Sequence, residues 1–277
     1  MPGSETDSET DDVLALALRL AGEAGALLLR RRGRSPGLID TKSSVTDPVS
    51  DVDRASEELV VGSIRAARPH DGILAEEGTA DSGTSGWRWV IDPLDGTVNY
   101  LYGFPTYAVS IAVELDGRAE VAVVVDPVHG ETFAAVRRRG ATLDGEAISV
   151  SDRADPALAL VGTGFSYGAE RRGHQAAVLA RVLPAVRDIR RAGAASVDLC
   201  WVACGRLDGF YEQGLQPWDF AAGALIAQEA GAIIGDLEGN PPSTTFTMAA
   251  APGLFEPLRT LLIQAGAGAQ PSGAAGG

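Results

Sequence analysis

Sulfur and imidazole are scarce in this chain: two cysteines, two methionines and three histidines among 277 residues. Disulfide frameworks and zinc sites need more cysteines, or histidines at ligand spacing. Cys200 and Cys204 stand four apart in a helix-like stretch and read as small buried residues on one face, with a redox pair as the weaker alternative. His70, His129 and His174 show no such spacing, and His129 beside Gly130 reads as a solvated loop residue. Aromatics are only 6% of the chain, and no basic patch is interleaved with them. Acids outnumber bases 37 to 23, for a net charge of -14, which argues against a nucleic-acid partner. The densest basic run, Arg30 to Arg34, closes the first predicted helix, where cations suit the negative end of the dipole. No apolar run approaches the roughly 18 to 20 residues that span a bilayer. The N-terminus lacks the basic and apolar regions of a signal peptide. No membrane partner is expected, and the expected location is cytoplasmic.

What the chain does have is core. Apolar residues make up 45% of it, enough to fold one large domain or two modest ones. Residues 1–12 are acidic and polar and are expected to be disordered. The half from 13 to 155 reads as α+β. It has helices over Val13–Arg31 and Asp51–Ala67, the latter capped by Ser50. Short strands follow at Ile73–Ala75 and Trp89–Ile91. An antiparallel meander then runs through Tyr107–Leu115, Glu120–Val125 and Glu131–Val136, with turns at Asp116-Gly117 and Asp144-Gly145. The half from 156 to 264 alternates. Strands are expected at Ala157–Val161, Asp188–Arg190, Leu207–Tyr211 and Ala232–Ile234. Helices are expected at His174–Leu183, Ala195–Cys204 and Phe220–Ala230. This predicts a smaller mixed α/β sheet. Residues 265–277 contain only Gly, Ala, Ser, Pro and Gln and are expected to be a disordered tail.

The chemistry concentrates in Trp89-Val90-Ile91-Asp92-Pro93-Leu94-Asp95-Gly96-Thr97-Val98-Asn99-Tyr100. Two carboxylates lie three apart directly after an apolar strand. Crowded acids repel one another unless a cation sits between them, and Mg²⁺ takes carboxylates, waters and phosphate oxygens. Gly96 permits a sharp turn, and a helix starting at Gly96-Thr97 presents free N–H groups to phosphate. Glu76 follows its own strand. Its neighbour Glu77 points the other way along an extended chain and reads as a solvated surface acid. Asp219 precedes the helix expected at Phe220 and reads equally as an N-cap. Asp53 lies in the polar start of the second helix.

Three blocks in order resemble the inositol monophosphatase family, over residues 13 to 262. They are Lys42 to Asp53; Ala75-Glu76-Glu77-Gly78 with Trp89 to Pro105; and Gln216-Pro217-Trp218-Asp219 to Gly223 followed by Glu229-Ala230-Gly231. The resemblance implies a layered αβαβα sandwich of the sugar-phosphatase type, a homodimer, two or three Mg²⁺ ions and inhibition by lithium. It implies metal ligands at Glu76, Asp92, Asp95, Asp219 and the Leu94 carbonyl. Thr97 would activate water, with Glu76 and Asp53 beside it. Gly96 and Thr97 would hold phosphate. Glu212, Asp219 and the Gly193-Ala194-Ala195 loop would face the substrate. Val98-Asn99-Tyr100 and Gly103-Phe104-Pro105 look like the inositol branch rather than the histidinol phosphate or adenosine bisphosphate branches. Ala194 replaces a common hydroxyl residue, and Ala232 a common glycine. The substrate expected is myo-inositol monophosphate, with histidinol phosphate, fructose 1,6-bisphosphate and adenosine bisphosphate as alternatives.

Two other classes compete. Gly164-Phe165-Ser166-Tyr167-Gly168 fits a serine-hydrolase elbow, but His174 and Glu170 follow too closely to complete the usual triad. A regulator acting through a macromolecular partner such as RNA polymerase is the other, since some relatives work that way.

Overall fold

The computed structural model describes residues 3–32, 39–41 and 48–269. Residues 42–47 of the first motif block, residues 33 and 34 of the basic run and residues 270–277 of the expected tail lie outside them. Helix α1 (Gly3–Arg31) leads to a hairpin of β1 (Ile39–Thr41) and β2 (Pro48–Ser50), then to α2 (Asp51–Ala67). Next come β3 (Gly72–Ala75), β4 (Ala80–Asp81) and β5 (Trp87–Asp95), which turns into the single-turn α3 (Thr97–Leu101). A meander follows through β6 (Ala108–Leu115), β7 (Arg118–Asp126), β8 (Glu131–Val136), β9 (Ala141–Leu143) and β10 (Glu146–Ala147). The remainder runs β11 (Leu160–Thr163), α4 (Ala169–Val182), β12 (Asp188–Arg190), α5 (Ala195–Ala203) and β13 (Gly209–Glu212). It ends with α6 (Pro217–Glu229), β14 (Ile233–Gly235), β15 (Thr247–Ala250) and α7 (Pro252–Ala265).

Strand alternation explains the layering. Trp89 and Ile91 on β5 point into one core with α1 and α2 (Leu20, Leu28, Ile64), while Val90 between them points into another. That second core joins the sheet to α5 and α6 and reaches Phe210 and Ala249 of the second sheet. A third core, with Val161, Tyr211 and Met248, carries α4 and α7 on the far side. The layers therefore run helix, sheet, helix, sheet, helix. The first sheet has the order β10-β9-β8-β7-β6-β5-β3-β4 and the second β12-β11-β13-β15-β14. Both expected sheets are present. The first is not wholly antiparallel, because β3 and β5 run parallel. In the second, β12, β11 and β13 are parallel while β15 and β14 are antiparallel.

Several boundaries move. Residues 3–12 belong to α1 instead of a disordered N-terminus. Acids suit the positive end of a helix, and two of these dock: Glu9 on Arg68 at 2.8 Å and Asp11 on Arg139 Nη2 at 2.8 Å. At the other end, Ala267 is buried and accepts a bond from Gln213, so ordered chain extends past 265. Ala157 lies in a 3-10 turn, Pro156–Leu158, capped by Asp155, and the strand begins at Leu160. Helix α4 begins at Ala169, before His174. Helix α6 begins at Pro217, so Asp219 sits inside its first turn rather than before it. Helix α2 has the expected bounds: Ser50 Oγ accepts from Val52 N at 3.2 Å, and Asp53 accepts from Ser50 N at 2.9 Å. No helix or strand is expected from the sequence over 247–264, where β15 and most of α7 stand, and α7 takes in Ala265 of the expected tail.

Candidate active site

The site begins with a fault in β5. Asp92 pairs with Ser110 and Asp95 with Ala108, so Pro93 and Leu94 face one residue of β6 where a regular ladder would have one against one. Residues three apart on a regular strand face opposite ways. Here the bulge absorbs one residue, and both carboxylates face the same way, as Ser110 and Ala108 do. Leu94 N donates to Asp92 Oδ1 at 3.0 Å, and Ser56 Oγ donates to the Pro93 carbonyl at 2.9 Å, so the bulge is pinned on both sides.

Gly96 then turns the chain with φ +91. A Cβ there would lie 3.1 Å from the Thr106 carbonyl and 3.2 Å from that of Gly193, so only glycine suits this left-handed turn. Thr97 follows, with Oγ1 2.9 Å from Asp53 Oδ1 and 3.2 Å from the Leu94 carbonyl. A hydroxyl has one proton, and the shorter bond, to the carboxylate, takes it. Thr97 Oγ1 is thereby left as an acceptor on the cavity wall. Asp53 is fully buried and lies behind Thr97; its other oxygen takes the Ser50 amide and hydroxyl. Asn99 bridges the halves, donating to Thr106 O at 2.7 Å and Ala192 O at 2.8 Å.

Glu76, Asp92, Leu94, Asp95, Thr97 and Asp219 line one cavity of about 480 Å³. Glu76 follows β3, whose exit loop is tied to α2 through Glu57, which accepts Glu77 N at 2.8 Å and Thr79 Oγ1 at 2.7 Å. Asp219 accepts Gln216 N at 2.7 Å in a capping box. Glu77 lies on the other side of the strand, half-buried beside α2, so it is less exposed than a solvated surface acid.

The second half closes the cavity. Helix α5 has Ala194 as its N-cap, which has no side chain to accept from the helix. Asp95 does that work from across the molecule: its Oδ2 accepts Ser196 N at 2.8 Å and Ser196 Oγ at 2.6 Å. Glu212, at the end of β13, faces the cavity close against Gly164. A Cβ at Gly164 would overlap the Glu212 carboxylate.

Crowding sets the electrostatics. Burial raises the Asp92 pKa well above the usual carboxylate value, and the charges of Glu76, Asp95 and Asp219 add to it. Burial pushes Asp95 up to about 6 against the pull of its Ser196 bonds. Burial and the Asp95 charge also raise Asp219. Burial lifts Glu212 to about 8, opposed by Arg191. Each shift is the cost of keeping negative charge out of water, and a cation would relieve it. The donors fit a hard one, because all are oxygens. Among the described residues no three acids already converge as a closed metal cage. Mg²⁺ needs only one or two carboxylates with waters and phosphate oxygens.

Comparison with known proteins identifies the family. The profile of the inositol monophosphatase family matches residues 9–266. The chain belongs to this family. It is 41% identical to an inositol-1-monophosphatase of Mycobacterium leprae, covering 92% of this chain and 95% of that one. It is 45% identical to the Nus factor SuhB of Pseudomonas aeruginosa, over 82% and 86% of the two chains. Among solved structures, the extragenic suppressor protein SuhB of Bartonella henselae superposes with a TM-score of 0.86 at 35% identity, covering 91% of this chain and 98% of that one. The inositol monophosphatase of Anabaena gives 0.81 at 32%, covering 96% and 99%. The chain is thus a phosphoric monoester hydrolase with the family's α/β sandwich.

The competing serine arrangement does not form in this inositol monophosphatase family member. Ser166 Oγ accepts the Gly168 amide at 3.2 Å, and His174 Nε2 has no partner among the described residues. Gly164 instead makes room for Glu212. His129 is not simply a solvated loop residue, because its Nδ1 lies 2.7 Å from the buried Asp126. Cys200 and Cys204 are free thiols with pKa values raised by burial, as packing residues would be. Glu229 holds the β8–β9 turn, accepting Arg138 N at 2.8 Å and Gly140 N at 3.0 Å. Sequence reasoning passed over Ser196, Glu57, Arg171 and Arg191, and took Asn99 only as part of the motif. Ser196 could have been suspected as a polar residue opening a helix after Gly193. The partners of Asn99 and Glu57 lie far along the chain and leave no local signal. No described helix is long and apolar enough to cross a membrane.

Proposed function

We propose that the chain hydrolyses myo-inositol monophosphate to inositol and phosphate, with Mg²⁺ held by Glu76, Asp92, the Leu94 carbonyl, Asp95 and Asp219. The observation that carries this reading is the β5 bulge, which turns Asp92 and Asp95 to one face beside an accepting Thr97 hydroxyl. Bound Mg²⁺ supplies Lewis acidity, acidifying water and stabilising the leaving alkoxide. The chain's own groups do the rest. Thr97 Oγ1, its proton directed to Asp53, accepts from the attacking water and orients it. Ser50 keeps Asp53 in place. The amides at Gly96 and Thr97 receive phosphate oxygens. Glu212 and the Gly193-Ala194-Ala195 loop contact the polyol hydroxyls. No covalent intermediate is required, since positioning and electrostatics suffice. The enzyme works as a homodimer in the cytoplasm and is inhibited by lithium.

The test is phosphate release from a panel of monoesters with and without Mg²⁺, and with added Li⁺. Inositol 1-phosphate should be turned over fastest, and only with Mg²⁺. Asp92→Asn should lose turnover and Mg²⁺ affinity together; wild-type turnover by that variant at limiting Mg²⁺ would overturn the ligand assignment. A second reading draws on the relatives named Nus factor SuhB, namely a regulatory role through a macromolecular partner. Retention of such a partner by folded but inactive Asp92→Asn would support it.

A further inference from the structure

The acids on the cavity wall are held in different ways. Asp92 takes the Leu94 amide from its own bulge, and Asp219 takes the Gln216 amide from its own capping box. Both of those ties are local. Asp95 is held from 101 residues away, because its Oδ2 accepts the amide and the hydroxyl of Ser196 together, at 2.8 Å and 2.6 Å. A serine in the first turn of a helix ordinarily turns its hydroxyl to backbone nearby. Here the hydroxyl reaches a carboxylate in the other half of the chain. Its 2.6 Å length falls in the range of charge-assisted O–H···O⁻ bonds, about 2.5 to 2.7 Å. Ser196 is fully buried and is not part of the cavity lining, so it sits behind Asp95 rather than beside it.

Packing fixes this clamp in place. Helix α5 begins at Ala195, and its N-cap, Ala194, has no side chain to receive the first amides. The Ser196 amide turns to Asp95 instead. The loop that delivers Ser196 is pinned to the Asp-Gly-Thr turn, since Asn99 donates to the Ala192 carbonyl at 2.8 Å. Gly193 lies between the Asn99 amide group and the Arg191 guanidinium, where a Cβ would collide with both. Gly96, directly after Asp95, is so near the Gly193 carbonyl that a Cβ there would be 3.2 Å from it. Asp95 and Ser196 are therefore brought together by contacts on both sides of the pair.

We propose that Ser196 is a positioning residue for Mg²⁺: its hydroxyl fixes the Asp95 carboxylate so that one oxygen stays on α5 and the other is presented to the cation. This rests on the ligand assignment above. Ser196 touches neither cation nor substrate. It holds Asp95 in place against the neighbouring negative charge of Glu76, which bears on Asp95 whenever no cation is bound. The same contact ties cation binding to the Gly193-Ala194-Ala195 loop, because Asp95 cannot shift without disturbing the start of α5.

The experiment measures Mg²⁺ affinity of the full chain by isothermal titration calorimetry. Ser196→Ala should bind Mg²⁺ about tenfold more weakly than wild type, the low end for residues that orient a metal ligand. Ser196→Thr keeps the hydroxyl and should recover most of the affinity. Ser196→Cys keeps the size of the side chain but donates weakly, and should bind like the alanine variant. Thermal melts without Mg²⁺ establish that each variant is folded. The midpoint of Mg²⁺ activation on inositol 1-phosphate should rise by the same factor as the dissociation constant. If folded Ser196→Ala or Ser196→Cys binds Mg²⁺ as tightly as wild type, Ser196 serves the helix alone and the proposal falls, with the ligand assignment intact. A loss in Ser196→Thr as large as in Ser196→Ala would trace the effect to packing and overturn the role of the hydroxyl. Absence of Mg²⁺ binding by the wild type would overturn the ligand assignment and the positioning role with it.

Discussion

Thr97 shows how much one hydroxyl can depend on what lies behind it. Its proton has a carboxylate acceptor at 2.9 Å, in Asp53, which is buried and fixed by the α2 capping box. The lone pairs are therefore left toward the cavity, where the proposed mechanism has them accept from water. Thr97→Ala should lower kcat by about 10²-fold, the lower range for lost proton-handling groups, with KM little changed. Thr97→Ser should restore most of it, which a purely packing role for the threonine methyl would not predict. Steady-state kinetics at saturating Mg²⁺ decide the point. The motif made Thr97 visible in the sequence. Asp53 reads there as one acid in a polar helix start, and only the resemblance singles it out.

At the scale of elements, the two halves are joined at the site itself. Asp95, at the end of β5, caps α5, and Asn99, on α3, holds the Thr106 and Ala192 carbonyls. Asn99→Ala would leave two buried carbonyls short of a donor. It should destabilise the fold by about 2 to 4 kcal/mol, measured by urea unfolding. Activity should fall with it, because the Gly193 loop loses its tie to the Asp-Gly-Thr turn. The helices and most strands were legible from periodicity and turn residues. Helix starts were less so: α4 and α6 begin earlier than their apolar patterns. Proline and polar residues in a first turn carry no periodic signal, so the reading began where apolar spacing did. The acidic start of α1 escaped for the same reason.

For the whole molecule, the excess of acid matters most where it is buried. Glu212 has an ordinary value of 4.5 and a folded value of about 8. Between those pH values the folded state keeps a proton that the unfolded chain has released. Its contribution to stability is therefore full below 4.5 and is lost as pH rises through about 8. Glu212→Gln removes that titration. Thermal melts of the metal-free protein should show wild type losing stability relative to Glu212→Gln as pH rises from about 5 to about 8.5. A pH-independent difference between the two would mean that Glu212 is not held protonated.

The sequence by itself singled out most of the residues to which we assign the chemistry. Crowded carboxylates at a strand end, a glycine before a threonine and a second acid near a distant tryptophan are local facts of composition and spacing. It also determined where helices and strands would stand, since periods of two and of three to four residues alternate along it, while the layering was implied by the resemblance to the family. The tertiary structure decided how those residues face one another. A bulge of one residue turned Asp92 and Asp95 the same way, and a carboxylate from one half capped a helix in the other. Two arginines set between the motif blocks were brought to the same cavity. None of these has a local signal, because each depends on register or on contact between residues far apart in the chain.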